Sequence, residues 1–242
     1  MDKEANYLNA GQATLDRTVR ARLADWLWGH PNRDDRSPVE LLVRGWRQLD
    51  AEGGLRVARA CGKLLRDPDV KVRGGAVMFF QGASKADDEG ALLAALQDAS
   101  ELYDGVKDPW NDDSEQDLRA ELARALAMRL RMHPEYLEAV RGEALRPGRG
   151  GVVLAGLSKV DPEWVVEQLG DILETVPHAF EVVLFNLDWA GHDRDALVAV
   201  QKVRGLIADE EIERLIRSEL QKAELRDQAL ALLRDEVIGQ ST

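Results

Sequence analysis

The sequence predicts an all-α fold, arranged as a right-handed α-solenoid of about six two-helix units. Three observations carry this expectation. Apolar residues recur at helical spacing in one segment after another, and strand-like alternation over more than four residues is hard to find. The prolines Pro31, Pro68, Pro109 and Pro147 fall 37, 41 and 38 residues apart, close to the length of a two-helix repeat.

Taken in chain order, Val39, Leu42, Val43, Trp46 and Leu49 form one apolar stripe. It is opened by Ser37-Pro38-Val39-Glu40, where Ser37 can cap, Pro38 suits the first helical position and Glu40 can complete a capping box. Leu118, Leu122, Leu126 and Leu130 form another stripe, its start marked by Ser114 and by Asp117 three residues on. Asp161-Pro162-Glu163 opens a helix carrying Trp164 and Leu169. Ile212, Leu215, Ile216 and Leu220 line the next-to-last helix, and Ala229, Leu232, Leu233 and Val237 the last. The connections are short and carry Gly, Pro or Asp, as at Asp67-Pro68-Asp69, Arg146-Pro147-Gly148 and Gly191-His192-Asp193. Between them the pattern accommodates about a dozen helices in a single domain spanning residues 1–242.

One segment carries more than periodicity. Leu65-Arg66-Asp67-Pro68-Asp69-Val70-Lys71-Val72-Arg73-Gly74-Gly75-Ala76-Val77 resembles the start of a HEAT repeat, in which an Asp-Pro turn leads into a helix bearing Val-Arg and then Ala. Fainter echoes occur at Leu118-Arg119 with Ala123 and at Arg149-Gly150-Gly151-Val152-Val153. Arg73 and Arg149 lie 76 residues apart, twice 38, while Arg119 sits about eight residues late; an acidic insertion between Asp108 and Asp117 accounts for the delay. The last ninety or so residues keep the helix-pair rhythm without the motif. The resemblance implies stacked helix pairs whose inner helices line a concave surface.

Composition bounds the function. The chain has 242 residues, 32 Lys+Arg against 44 Asp+Glu for a net charge of −12, and one cysteine, Cys61. A lone thiol excludes an intrachain disulfide framework, and Cys61 is expected as a small packed residue of a protein in the reducing cytoplasm. The longest apolar run, Ala91 to Leu96, is far short of the ~20 residues that span a bilayer, so no membrane segment is expected. The charge is uneven. Residues 1–80 carry 14 basic and 11 acidic side chains (+3), residues 81–118 carry 2 and 11 (−9), and residues 119–242 carry 16 and 22 (−6). A surface of that sign repels phosphate backbones and attracts basic proteins.

The densest acidic part, 104–117, holds the candidate partner-binding residues Asp104, Asp108, Trp110, Asp112, Asp113, Glu115 and Asp117. Two readings stand side by side: a docking loop with carboxylates for Lys and Arg and Trp110 as aromatic anchor, or a solvated loop whose acids cap the next helix and whose Trp110 tucks into the core; a lesser third is Mg²⁺ or Ca²⁺ held loosely by Asp112 and Asp113. The EF-hand pattern fails because Asp104 is followed directly by Gly105. Gly148-Arg149-Gly150-Gly151 matches neither the dinucleotide fingerprint nor the Walker pattern and reads as an inter-repeat turn. His30, His133, His178 and His192 are scattered, no Gly-x-Ser-x-Gly elbow occurs, and no cofactor, metal site or catalytic residue is expected. Of six tryptophans, Trp26, Trp46 and Trp164 sit on apolar stripes and are expected in the core, whereas Trp28, Trp110 and Trp189 sit where an exposed ring could bind.

These features point to a non-enzymatic scaffold or inhibitor that engages a basic protein partner through its concave face and acidic loop, in one form after the manner of bacterial immunity proteins. The alternative is an enzyme resembling the HEAT-like alkylpurine DNA glycosylases, which use a carboxylate, an arginine and aromatic residues on the concave face to engage damaged DNA. The net charge of −12 argues against nucleic acid, although Arg17, Arg20, Arg44, Arg47, Arg56 and Arg59 could build a basic face.

Overall fold

The computed structural model describes residues 11–24, 38–86, 90–107, 117–146 and 150–239. Among these residues lie thirteen α-helices and no strand. The chain divides into two compact units, Met1–Met132 and His133–Thr242.

The first unit contains α1 (Gln12–Ala24), α2 (Pro38–Trp46), α3 (Ala51–Leu64), α4 (Val70–Gly82), α5 (Ala91–Asp98) and α6 (Leu118–Ala127). Helices two apart in sequence pack side by side: α1 against α3, α3 against α5, α2 against α4 and α4 against α6. Local chemistry sets the helix starts. Asp50 caps α3 by accepting from the Gly53 amide at 2.8 Å, and Asp69 caps α4 by accepting from Lys71 at 2.9 Å. Between the layers lie Val72, Ala76, Val77, Phe79 and Phe80 of α4, all inaccessible to solvent. Each buried Phe contributes on the order of 1.5–3 kcal/mol. Cys61, on α3, is fully buried as expected.

The resemblance segment has a physical role here. Arg73, 5% exposed, points back along α4 and donates to the carbonyls of Asp67 (2.8 Å), Pro68 (3.0 Å) and Leu102 (2.9 Å). Its guanidinium lies 5.8 Å from the Tyr103 ring centroid, and the Tyr103 hydroxyl donates to the carbonyl of Leu65. Burial pushes the Tyr103 phenol well above its ordinary range. Arg119 is buried likewise, at 6% exposure.

Several local expectations are revised. The stripe through Leu130 is not one helix: α6 ends at Ala127, and Leu130 is buried in the turns that follow. Those turns are held by Arg129, 1% exposed, which donates to the carbonyls of Ala125 (2.6 Å) and Ala83 (2.9 Å) and also to that of Phe80. It thereby satisfies carbonyls at the C-terminal end of α4. The expected cap Ser37 and the cap marker Ser114 lie outside the described residues, as do Trp26 and Trp28. Trp46 is half-buried where the core was expected, because its Nε1 donates to the Gly54 carbonyl at 3.0 Å while its ring edge meets Phe79 at a 6.2 Å centroid distance.

The second unit contains α7 (Leu137–Ala144), α8 (Gly150–Val160), α9 (Pro162–Thr175), α10 (Ala179–Ala190), α11 (Asp193–Val203), α12 (Asp209–Glu219) and α13 (Ala223–Gly239). Here α8 packs on α10, α10 on α12, α9 on α11 and α11 on α13. Asp161 stands at the start of α9, but its carboxylate makes no capping bond; it accepts instead from Arg141 of α7 at 2.8 Å. The Arg141 guanidinium lies 5.3 Å from the Trp164 ring centroid, so Trp164 is half-buried under a cation and not sealed in the core. Gly191 ends α10 at φ 80°, a left-handed position suited to glycine, with its amide on the Asp188 carbonyl at 3.1 Å.

Candidate functional site

The acidic stretch springs from a closed base. Lys107 and Asp117 form an antiparallel bridge, and the Leu118 amide donates to the Val106 carbonyl at 2.7 Å. Asp117 uses both carboxylate oxygens: one accepts from Ala120 at 3.0 Å and caps α6, the other accepts from Gly105 at 2.9 Å across the base. Gly105 sits at φ 69°, which lets the chain turn there. Lys107 and Asp117, with nine residues of sequence between them, are thus held side by side. Asp104 is exposed beside this base. Asp108, Trp110, Asp112, Asp113 and Glu115 lie outside the described residues.

A second surface lies on α10. Phe180, Val183, Leu184 and Leu187 are buried, yet the same helix leaves Phe185 41% and Trp189 74% exposed. Glu181, also exposed, precedes Phe185 by one turn, so Glu181, Phe185 and Trp189 follow one stripe at a spacing of four residues. The stripe is held firmly from beneath. Asp188, 3% exposed, accepts from the Gln221 amide at 2.5 Å, and Lys222 Nζ bridges Asp188 at 3.4 Å and Asp193 at 2.5 Å. On α12, Arg214 makes a two-pronged pair with Glu211, both bonds 2.7 Å, and Arg217 pairs with Glu213 at 2.6 Å. The hydrogen bond from Arg214 holds the Glu211 carboxyl below its usual range. Arg214 is raised in turn, by Glu211 first and more distantly by Glu181.

A third feature is a groove of about 700 Å³ between α2 and α4. It is lined by Arg44, Arg47, Met78 and Gln81 among others. Arg47 donates to the Gly82 carbonyl at 2.9 Å, and Gln81 donates to both the carbonyl and the carboxylate of Glu121 at 3.0 and 2.8 Å. Of the six arginines weighed as one basic face, Arg17 and Arg20 lie on α1, Arg44 on α2 with Arg47 just after it, and Arg56 and Arg59 on α3; these three helices pack on one another.

The chain matches no protein-family model, no curated protein and no solved structure. Its functional reading therefore rests on its own residues. Among the described residues, no group of three or more His, Cys, Asp or Glu could hold a metal ion, and no helix is long and apolar enough to cross a membrane. His133 pairs locally with Glu135 at 2.9 Å and stacks on Tyr136 at 5.1 Å. That arrangement staples the 3-10 turn Pro134–Tyr136. His192 approaches the Lys159 carbonyl at 3.3 Å.

Of the tryptophans expected to be free for binding, Trp189 is the one within the described residues, and its exposure fits that expectation. Phe185 was not singled out from the sequence. The available signal was the surplus of apolar residues in Ala-Phe-Glu-Val-Val-Leu-Phe-Asn-Leu-Asp-Trp-Ala, too many for one buried face.

Proposed function

We propose that the chain is a non-enzymatic, HEAT-like repeat protein, a right-handed solenoid of about six helix pairs, that binds a basic protein partner as a scaffold or inhibitor. The observation that carries the reading is the closed base at Lys107 and Asp117. Between these two residues the sequence carries four carboxylates and Trp110. Carboxylates in that number suit recognition of Lys and Arg and accelerate encounter with a cationic protein. The packing of helices two apart, and the guanidinium of Arg73 tying successive turns together, support the repeat reading. An inhibitor of a cationic, nucleic-acid-binding enzyme is one concrete form, the carboxylates standing in for phosphates.

The test is affinity capture from native cell extract with the wild-type chain and with Asp108, Asp112, Asp113 and Glu115 all changed to Ser. A basic protein retained by the first and lost with the second is the expected result. Recovery of the same proteins with both would remove the loop from the docking site.

A further inference from the structure

The folded second unit leaves one large aromatic surface without a structural task. Trp189 is 74% exposed and Phe185 41%, one turn apart on α10. The segment beneath them is pinned by the buried Asp188 carboxylate, so the rings stand on a rigid base. An indole left in water on such a base adds little to the core. Trp is also the residue type most enriched among interface hot spots, where a rigid anchor loses little entropy on binding.

Charge selects the occupant. Residues 133–242 carry 12 Lys+Arg and 21 Asp+Glu, a net of −9. Two copies of this unit meeting face to face would set like charge against like, which disfavours self-association at this surface. A cationic segment gains on both counts, from the field of the unit and from the quadrupole of the rings. The stripe itself supplies a carboxylate in Glu181. Neighbouring α12 contributes Glu211 and Glu213, whose present partners Arg214 and Arg217 form exposed pairs of the exchangeable kind. The unit also contains an internal instance of the contact: Arg141 lies 5.3 Å from the Trp164 ring centroid while its guanidinium bonds Asp161.

We infer that the Glu181, Phe185 and Trp189 stripe of α10 docks an arginine- or lysine-rich segment of a partner protein, with Trp189 as the aromatic anchor. This rests on the reading of the chain as a binder of a basic protein and adds a second, aromatic contact site to it.

The experiment titrates an end-labelled oligoarginine peptide with the full chain and follows fluorescence anisotropy. The proteins are wild type, Trp189→Ser, Phe185→Ser, Trp189→Phe and the four-site loop variant. Because Trp189 is exposed, its substitution is expected to leave the circular dichroism melt unchanged. The expected result is binding weakened about tenfold by Trp189→Ser at unchanged net charge, with partial recovery in Trp189→Phe. Wild-type affinity in both Ser variants, with loss only in the loop variant, would overturn the inference while leaving the basic-partner reading intact. Absence of binding by the wild-type chain would remove both. A wild-type dimer in sedimentation that Trp189→Ser converts to monomer would assign the stripe to a second copy of the chain and overturn the inference.

Discussion

The guanidinium of Arg73 lies 2.8 Å from the backbone carbonyl of Asp67, six residues before it, and so closes the turn that precedes its own helix. Side chains on a helix lean toward its N-terminus, which is why an arginine one turn inside α4 can reach back to that turn. The second prong, to the Leu102 carbonyl at 2.9 Å, ties in the turn that follows α5. One side chain thus couples the turn before α4 to the turn after α5, and the Asp-Pro-Asp…Arg pattern acquires a mechanical meaning.

Replacing Arg73 with Ala removes its bonds to the carbonyls of buried Asp67, exposed Pro68 and half-buried Leu102, and the ring contact with Tyr103. A loss of about 3 kcal/mol in unfolding free energy is expected from urea titration. A change within about 0.5 kcal/mol of zero, the range of ordinary surface substitutions, would contradict the coupling role.

Two helical glycines give an opposed pair. A Cβ on Gly75 would meet Leu23 Cδ2 at 3.0 Å and Leu23 Cβ at 3.3 Å, so α1 leaves little room for it. Gly75→Ala is expected to destabilise by about 1 kcal/mol despite the better helix propensity of alanine. Gly142, on α7, has nothing within 4 Å of that position, and Gly142→Ala is expected to stabilise by about 0.5–1 kcal/mol. Melting temperatures moving in the same direction would refute the pairing.

Asp117→Ala removes both the α6 cap and the bond to the Gly105 amide. The expected cost is about 1–2 kcal/mol, with only part of it recovered by Asp117→Asn, whose single side-chain oxygen can keep one of the two bonds. Amide exchange at Gly105 and Ala120 should accelerate in the Ala variant; unaltered exchange at both would show that the base is held by other contacts.

Acid sensitivity follows from Asp67. Burial alone would raise its carboxyl, but the hydrogen bonds from Arg20 and from the Asp69 amide outweigh that and hold it below the usual aspartate range. A folded-state value below the unfolded one means stability that is fully present above the unfolded pKa and is lost as the pH falls through the folded one. Asp16, where burial is likewise outweighed, here by Lys63 and Gln12, acts in the same direction. Chemical denaturation between pH 7 and pH 2–3 should therefore show an acid limb that Asp67→Asn makes shallower. An identical limb in the variant would exclude Asp67 as a contributor.

Much of this was readable from residue order. Helical periodicity marked the helices, and Cys61, expected as a small packed residue, is buried; Ser114 pointed to a helix start that Asp117, three residues on, in fact caps. Trp189, at a helix end, was open to being exposed and is. Other features were not readable, for a common reason. Periodicity says that Leu130 continues a stripe, but Arg129 turns the chain there because carbonyls of α4 are waiting for its donors. Asp161 has the sequence of a cap, yet Arg141 offers a charge-assisted bond that an uncharged amide does not match. Phe185 has the residue type of a core position, but among the described residues no helix covers that side of α10 and it stays 41% exposed.

The sequence by itself determined the all-α class, the helix starts written in Asp and Pro, and the concentration of negative charge in residues 81–118, because these depend on local backbone chemistry and on composition. Only the tertiary structure decided which stripes are covered and which carboxylates are engaged. Burial and pairing depend on what another part of the chain brings into contact: Asp117 is bound to the Gly105 amide as well as capping α6, Arg73 is enclosed by the carbonyls of Asp67, Pro68 and Leu102, and Trp189 stays exposed on α10.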